Sequence, residues 1–92
     1  MQEAVHAQSI PSLHPMYHFR WEEQENAYLL LYPEGIVKLN GPAGEIVKRC
    51  DGATSVKEVI RDLESVFEAD VADDVLAFLE EAHAKGWIRF TT

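Results

Sequence analysis

Polar and aromatic residues alternate along His18, Phe19, Arg20, Trp21 and Glu22. That is the period-two pattern of a half-buried strand over 17–22 with Phe19 and Trp21 inward. A polar cluster at 23–26 turns the chain, and 27–32 returns as a second strand that is apolar on both faces. Leu29 and Leu31 lie on one face; Tyr28, Leu30 and Tyr32 lie on the other. Pro33, Glu34 and Gly35 are turn chemistry, so 36–40 pairs back as a third strand. Chain order puts the second strand in the middle and leaves the third at the sheet edge, where Lys38 would discourage stray pairing.

The period then changes from two to 3.6. Asn40 is a helix N-cap with Pro42 in the first turn. Ala43, Ile46, Val47 and Cys50 make one apolar stripe, and Gly52 stops the helix. Ser55 and Glu58 form a capping box ahead of a second stripe, Val56, Val59, Ile60, Leu63, Val66 and Phe67. Asp70 is the expected N-cap of a third helix that ends near Lys85 before Gly86. Its stripe is Val71, Val75, Phe78, Leu79 and Ala82, widened by Leu76. Residues 87–90 alternate again and close the chain as a short strand. Residues 1–15 hold no period and contain Pro11, Ser12 and Pro15, so they read as a flexible N-terminal arm outside a body at 16–92. The expected class is α+β: a winged-helix-like layout of an N-terminal three-stranded antiparallel sheet followed by a three-helix bundle.

Charge narrows what such a layout can do. With 8 Lys and Arg against 16 Asp and Glu, the 92 residues carry a formal charge of -8, which repels phosphate backbones and anionic lipid. The third helix, where a DNA reader would contact bases, bears Asp73, Asp74, Glu80 and Glu81 against Lys85. Nucleic acid and membrane are therefore not expected partners. No apolar run approaches the roughly 18 residues of a bilayer span. The start Met1, Gln2, Glu3, Ala4 lacks a signal peptide's basic and apolar regions, so the cytoplasm is the expected compartment.

Catalytic chemistry is not assembled. Cys50 has no partner for a disulfide and sits in an apolar stripe, where a thiol behaves as a small hydrophobe. His14 and His18 have metal spacing only on a helix, and Pro15 interrupts it. Gly41, Pro42, Ala43 and Gly44 lack the spacing of a phosphate loop, and Ser55 is accounted for by its capping role. No cofactor or metal is expected. What remains is an exposed strand edge beside a helix with a broad apolar stripe, a groove suited to an extended peptide.

The stretches LLLYPEGIVKLN (29–40), CDGATSVKEVI (50–60) and DVADDVLAFLEEAHAKGWI (70–88) resemble the PqqD family of pyrroloquinoline quinone biosynthesis proteins, over about residues 11–90. The resemblance implies a chaperone without catalytic activity, similar to the recognition elements of ribosomal peptide modification systems. Such a protein would bind the precursor peptide PqqA by strand addition and present it to the radical S-adenosylmethionine enzyme PqqE. Carried over by position, the groove falls on Gly35, Ile36, Val37, Lys38 and Leu39 of the third strand, and on Asp74, Val75, Phe78, Leu79 and Ala82 of the third helix. On that reading, proline at Val37 or Leu39 weakens peptide binding if the lost amide faces the edge. The second strand's two apolar faces, with Ile10 and Leu13 in the arm, leave open a homodimer or an arm folded back. Two alternatives stand beside the chaperone: a winged-helix DNA- or regulator-binding domain, and a small quinone- or cofactor-binding protein.

Overall fold

The computed structural model describes Val5 to Thr91. In chain order the elements are β1 (Ile10–Leu13), β2 (His18–Glu22), β3 (Ala27–Tyr32), β4 (Gly35–Lys38), α1 (Gly41–Lys48), α2 (Val56–Phe67), α3 (Ala72–Ala84) and β5 (Ile88–Thr91). β2, β3 and β4 form one antiparallel sheet in that order, and β1 pairs antiparallel with β5 in a second, two-stranded sheet. The α+β class with three helices stands. Two sheets replace the expected single one.

The extra sheet corrects the N-terminal arm, of which residues 1–4 lie outside the described residues. Ile10–Leu13 are a strand, and Pro11 is almost fully buried. Proline reads as a strand breaker, but the register gives it a harmless place. His14 donates its amide to the Trp87 carbonyl at 2.8 Å, so His14, Ser12 and Ile10 turn their backbone groups to β5 while Pro11 turns away. The outward carbonyl of Pro11 accepts the Gly52 amide at 3.0 Å. Just before the strand, the Ser9 and Ala7 carbonyls accept the amides of Val56 and Lys57, each at 2.9 Å. These are among the first amides of α2, which have no partner inside their own helix. The arm therefore belongs to the fold, closing the start of α2.

Local signals specify the helices well. Asn40 accepts the Ala43 amide at 2.7 Å, and Ser55 and Glu58 bond reciprocally at 3.3 and 3.4 Å as a capping box. Past α3, Gly86 adopts φ +80, and the Trp87 amide returns to the Ala82 carbonyl at 2.9 Å. Asp70, the expected N-cap of α3, sits one residue early. Val71 holds the cap position without a side-chain bond; Asp70 accepts the Ala72 amide at 3.4 Å, and Glu64 accepts that of Val71 at 3.2 Å. Val66 and Phe67, expected inside, are 54% and 42% exposed, because α2 ends at Phe67 and the chain turns off through Glu68.

α1 divides the interior. Ile46 joins Val56, Val59, Leu63, Val75, Leu79 and Ile88 between α2, α3 and β5, whereas Val47 joins Leu30, Leu39 and Ala43 under the three-stranded sheet. Phe78 and Trp87 touch both clusters. The close approach of α1 to β3 depends on Gly44, where a Cβ would lie 2.5 Å from Cδ2 of Tyr28. Arg49 then ties α1 to α2 by pairing with Glu45 and Asp62.

The far face of β3 is covered without a helix. Ala27 and Leu29 are each 8% exposed there. Leu29 is flanked across the sheet by Arg20 and Lys38, whose charges pair with Glu22 and Glu25. Trp21, expected inward, lies at the sheet margin 44% exposed, edge-on to Tyr28. Among the described residues no helix is long and apolar enough to cross a membrane.

Candidate functional site

β4 has β3 on one side only. The Leu39 amide donates to the Tyr28 carbonyl at 3.0 Å, and the same register pairs Val37 with Leu30 and Gly35 with Tyr32. In an antiparallel ladder, alternate residues direct both backbone groups to the partner and the residues between direct both away. Gly35, Val37 and Leu39 thus face β3, while the N–H and C=O of Ile36 and Lys38 face the open edge. No backbone bond to these outward groups exists among the described residues. The condition attached to proline at Val37 and Leu39 is therefore not met there: those amides belong to the ladder, and the amides on the edge are those of Ile36 and Lys38.

Side chains alternate with the same parity. Ile36, 63% exposed, and Lys38, paired to Glu25 at 3.3 Å, lie on the outer face. Val37 and Leu39 point to the interior, where Phe78 of α3 packs on the same cluster. The structure thus brings Val37, Leu39 and Phe78 together, so the edge strand and α3 share one apolar floor. Leu79 and Ala82 do not line a surface. Both have no exposed area and sit in the cluster facing α2 and β5, so their direct contact with a peptide is withdrawn; they hold α3 in position.

Asp74 and Val75 lie farther toward the start of α3. They line a pocket of about 180 Å³ with Pro42 and Ile46 of α1, Leu63 and Phe67 of α2, and Val71. Sequence reasoning did not place Pro42, Phe67 or Val71 at a site. Proline near a helix start and the last residue of a stripe each have a local explanation, and only the meeting of three helix ends makes them a pocket.

Burial, with Asp51 adding to it, pushes the Cys50 thiol up to about 12, and its Sγ donates to the Ile46 carbonyl at 3.3 Å. Such a thiol is inert near neutral pH. Among the described residues no three His, Cys, Asp or Glu side chains converge as a metal site.

An open strand edge, an apolar floor shared with a helix and a pocket at the start of that helix suit a peptide-binding class of domain. Residues 27–88 match the family described as Coenzyme PQQ synthesis protein D (PqqD), and the chain belongs to that family. A "PqqA binding protein" of Pseudomonas aeruginosa (strain UCBPP-PA14) is 44% identical over 82 residues, covering 87% of this chain and 89% of that one. Another protein of that name, from Acinetobacter baylyi, is 34% identical over 96% of this chain and 89% of its own length. The solution NMR structure of the PqqD truncation of Methylobacterium extorquens PqqCD, a functional and stand-alone RiPP recognition element, superposes with a TM-score of 0.78. It is 26% identical, and the match covers 94% of this chain and 95% of that one.

Proposed function

We propose that this chain is a cytoplasmic chaperone without catalytic activity that binds the precursor peptide PqqA as an added strand along β4 and presents it to PqqE. The observation that carries the reading is the pair of outward, unpartnered backbone positions at Ile36 and Lys38 beside the apolar floor of Val37 and Phe78. Two N–H and two C=O groups spaced for an antiparallel or parallel strand supply affinity through main-chain bonds, and the floor selects apolar side chains at every second peptide position. The names of the relatives supply the peptide. The sheet of β2, β3 and β4 followed by three helices is the winged-helix-like arrangement on this reading, with the edge rather than a recognition helix as the working part. A formal charge of -8 supports that choice over DNA.

Backbone amide shifts during titration with synthetic PqqA test it. Ile36 and Lys38 move first and farthest, with Val37 and Phe78 following. Absence of any shift at saturating peptide, with PqqE present as well as without it, would sink the proposal.

A further inference from the structure

β2 is the other margin of the three-stranded sheet, with β3 on one side and no strand on the other among the described residues. Tyr28, Leu30 and Tyr32 turn their backbone groups to β4, so Ala27, Leu29 and Leu31 turn theirs to β2. Opposite them, Glu22, Arg20 and His18 are the ladder residues of β2. The N–H and C=O of Phe19 and Trp21 therefore point off the sheet, and no backbone bond to them exists among the described residues.

Edges that are to stay empty carry a device that repels a new strand. β1 has Pro11, and β4 has Lys38. β2 has neither proline nor net charge, because Arg20 and Glu22 neutralise each other at 2.8 Å. Both of its outward residues are aromatic. Phe19 stacks on Tyr28 with ring centroids 4.8 Å apart; Trp21 meets the same ring edge-on at 4.9 Å and stays 44% exposed. A strand added here finds two donors, two acceptors and an aromatic face on which every second side chain lies.

A second copy of the chain fits this edge poorly. A two-fold pairing that bonds Phe19 to Trp21 of the copy sets Arg20 directly opposite the copy's own Arg20, at the close, non-bonded spacing where like charges repel. On the strand-addition reading above, the peptide fills β4, and a chain that presents it must hold the modifying enzyme at a surface the peptide leaves free. β2 and β4 lie about 10 Å apart with β3 between them, so both edges accept a strand at once.

We propose that the free edge of β2 is a second strand-addition site, taken by an extended segment of the enzyme that modifies the bound peptide, with an apolar side chain of that segment on Trp21. The turn after β2 bears Glu23 and Glu25 beside Glu22, so the end of the segment that reaches it is basic. This rests on the chaperone reading and goes beyond it by giving peptide and enzyme opposite edges of one sheet.

Calorimetry of the full chain with purified PqqE, and separately with synthetic PqqA, tests it. Trp21→Pro removes an outward amide and the indole while leaving the ladder to β3 intact. It weakens PqqE by roughly 10- to 100-fold, as loss of an interfacial tryptophan does, and leaves PqqA within about twofold. Trp21→Ala, which keeps the amide, gives a smaller loss. Ile36→Pro shows the converse, losing PqqA and keeping PqqE. If PqqE binds the unaltered chain and binds Trp21→Pro within about twofold of it, the β2 proposal alone is overturned. Equal loss of PqqE and PqqA in a folded Trp21→Pro overturns it too, as does a chain dimer held at Trp21 that PqqE does not displace. No binding of PqqE to the unaltered chain overturns presentation and this proposal together, whereas strand addition at β4 fails separately, if PqqA leaves the amides of Ile36 and Lys38 unshifted. Should Trp21→Pro not fold, hydrogen exchange on the unaltered chain decides: the amides of Phe19 and Trp21 gain protection at saturating PqqE, and unchanged exchange there refutes it.

Discussion

β1 and β4 are both four-residue edge strands, and the chain treats their outward backbone in opposite ways. On β1, Pro11 has no N–H to leave unpaired and its carbonyl receives the Gly52 amide at 3.0 Å. The residues leading into it, Ala7 and Ser9, spend their carbonyls on the first amides of α2. On β4, Ile36 and Lys38 hold two donors and two acceptors outward with no partner among the described residues. An edge whose groups are consumed at home is structural. An edge kept open beside an apolar floor, guarded only by Lys38, invites an extended segment.

The largest way to break that contrast is to remove the closed edge. A chain lacking residues 1–13 loses the β1–β5 ladder, the burial of Pro11 and two carbonyl partners of α2, and its stability to urea falls by roughly 3–5 kcal/mol. At low temperature it retains PqqA binding, since β4 is untouched. Unchanged stability would show that β1 is ornamental. Next comes proline placed by parity. Val37→Pro removes a ladder bond and costs about 3 kcal/mol or more in thermal unfolding. Ile36→Pro removes an edge amide, costs about 1 kcal/mol or less, and weakens PqqA by roughly tenfold in calorimetry. If both proline variants behave alike, the parity of β4 is wrong.

A smaller effect is expected from Lys38→Val, which removes the guard. Light scattering then shows concentration-dependent self-association that added PqqA suppresses, and a monodisperse variant would count against an accessible edge. The smallest lies on the β1 side. Asp51, bridged to Ser12, accepts the amides of Ala53 and Thr54 at 2.9 Å and shapes the turn that presents Gly52 to Pro11. The hydrogen bond from the Ala53 amide, outweighing slight burial and joined by those from Thr54, holds its carboxyl below the ordinary range. A lowered folded value means stabilisation that is present above the unfolded pKa near 3.9 and is lost as pH falls through the folded one. Asp51→Ala is therefore slightly less stable than the parent at neutral pH, and the gap in urea midpoints closes as the pH drops below about 4. A gap independent of pH would assign the effect to something other than the carboxylate.

Elements made by neighbours in the chain were readable from the residues alone. The Ser55–Glu58 box, the Asn40 cap, the Gly86 stop and the β2–β3–β4 hairpins rest on contacts a few residues long. β1 was not readable. Its partner is nearly 80 positions away, and proline is tolerated there only because of a register that no local pattern reveals. The candidate site divides the same way. That an edge strand and an apolar helix would border a groove followed from strand order and stripe width. That Leu79 and Ala82 sit in the interior while Phe78 reaches the floor depended on the rotation of α3 between two clusters.

The sequence by itself determined where β2, β3, β4 and the three helices lie, that Asn40 and Ser55 cap α1 and α2, and that the chain is strongly acidic. Local dihedral preferences, capping bonds and periodicity act over one or two turns and need nothing else. Tertiary structure alone decided which edge is closed and which is open, which β4 amides face outward, and that Pro42, Phe67 and Val71 meet at a pocket. Those depend on pairing parity and on the packing of helices distant in sequence, where a shift of one residue exchanges every inward group for an outward one.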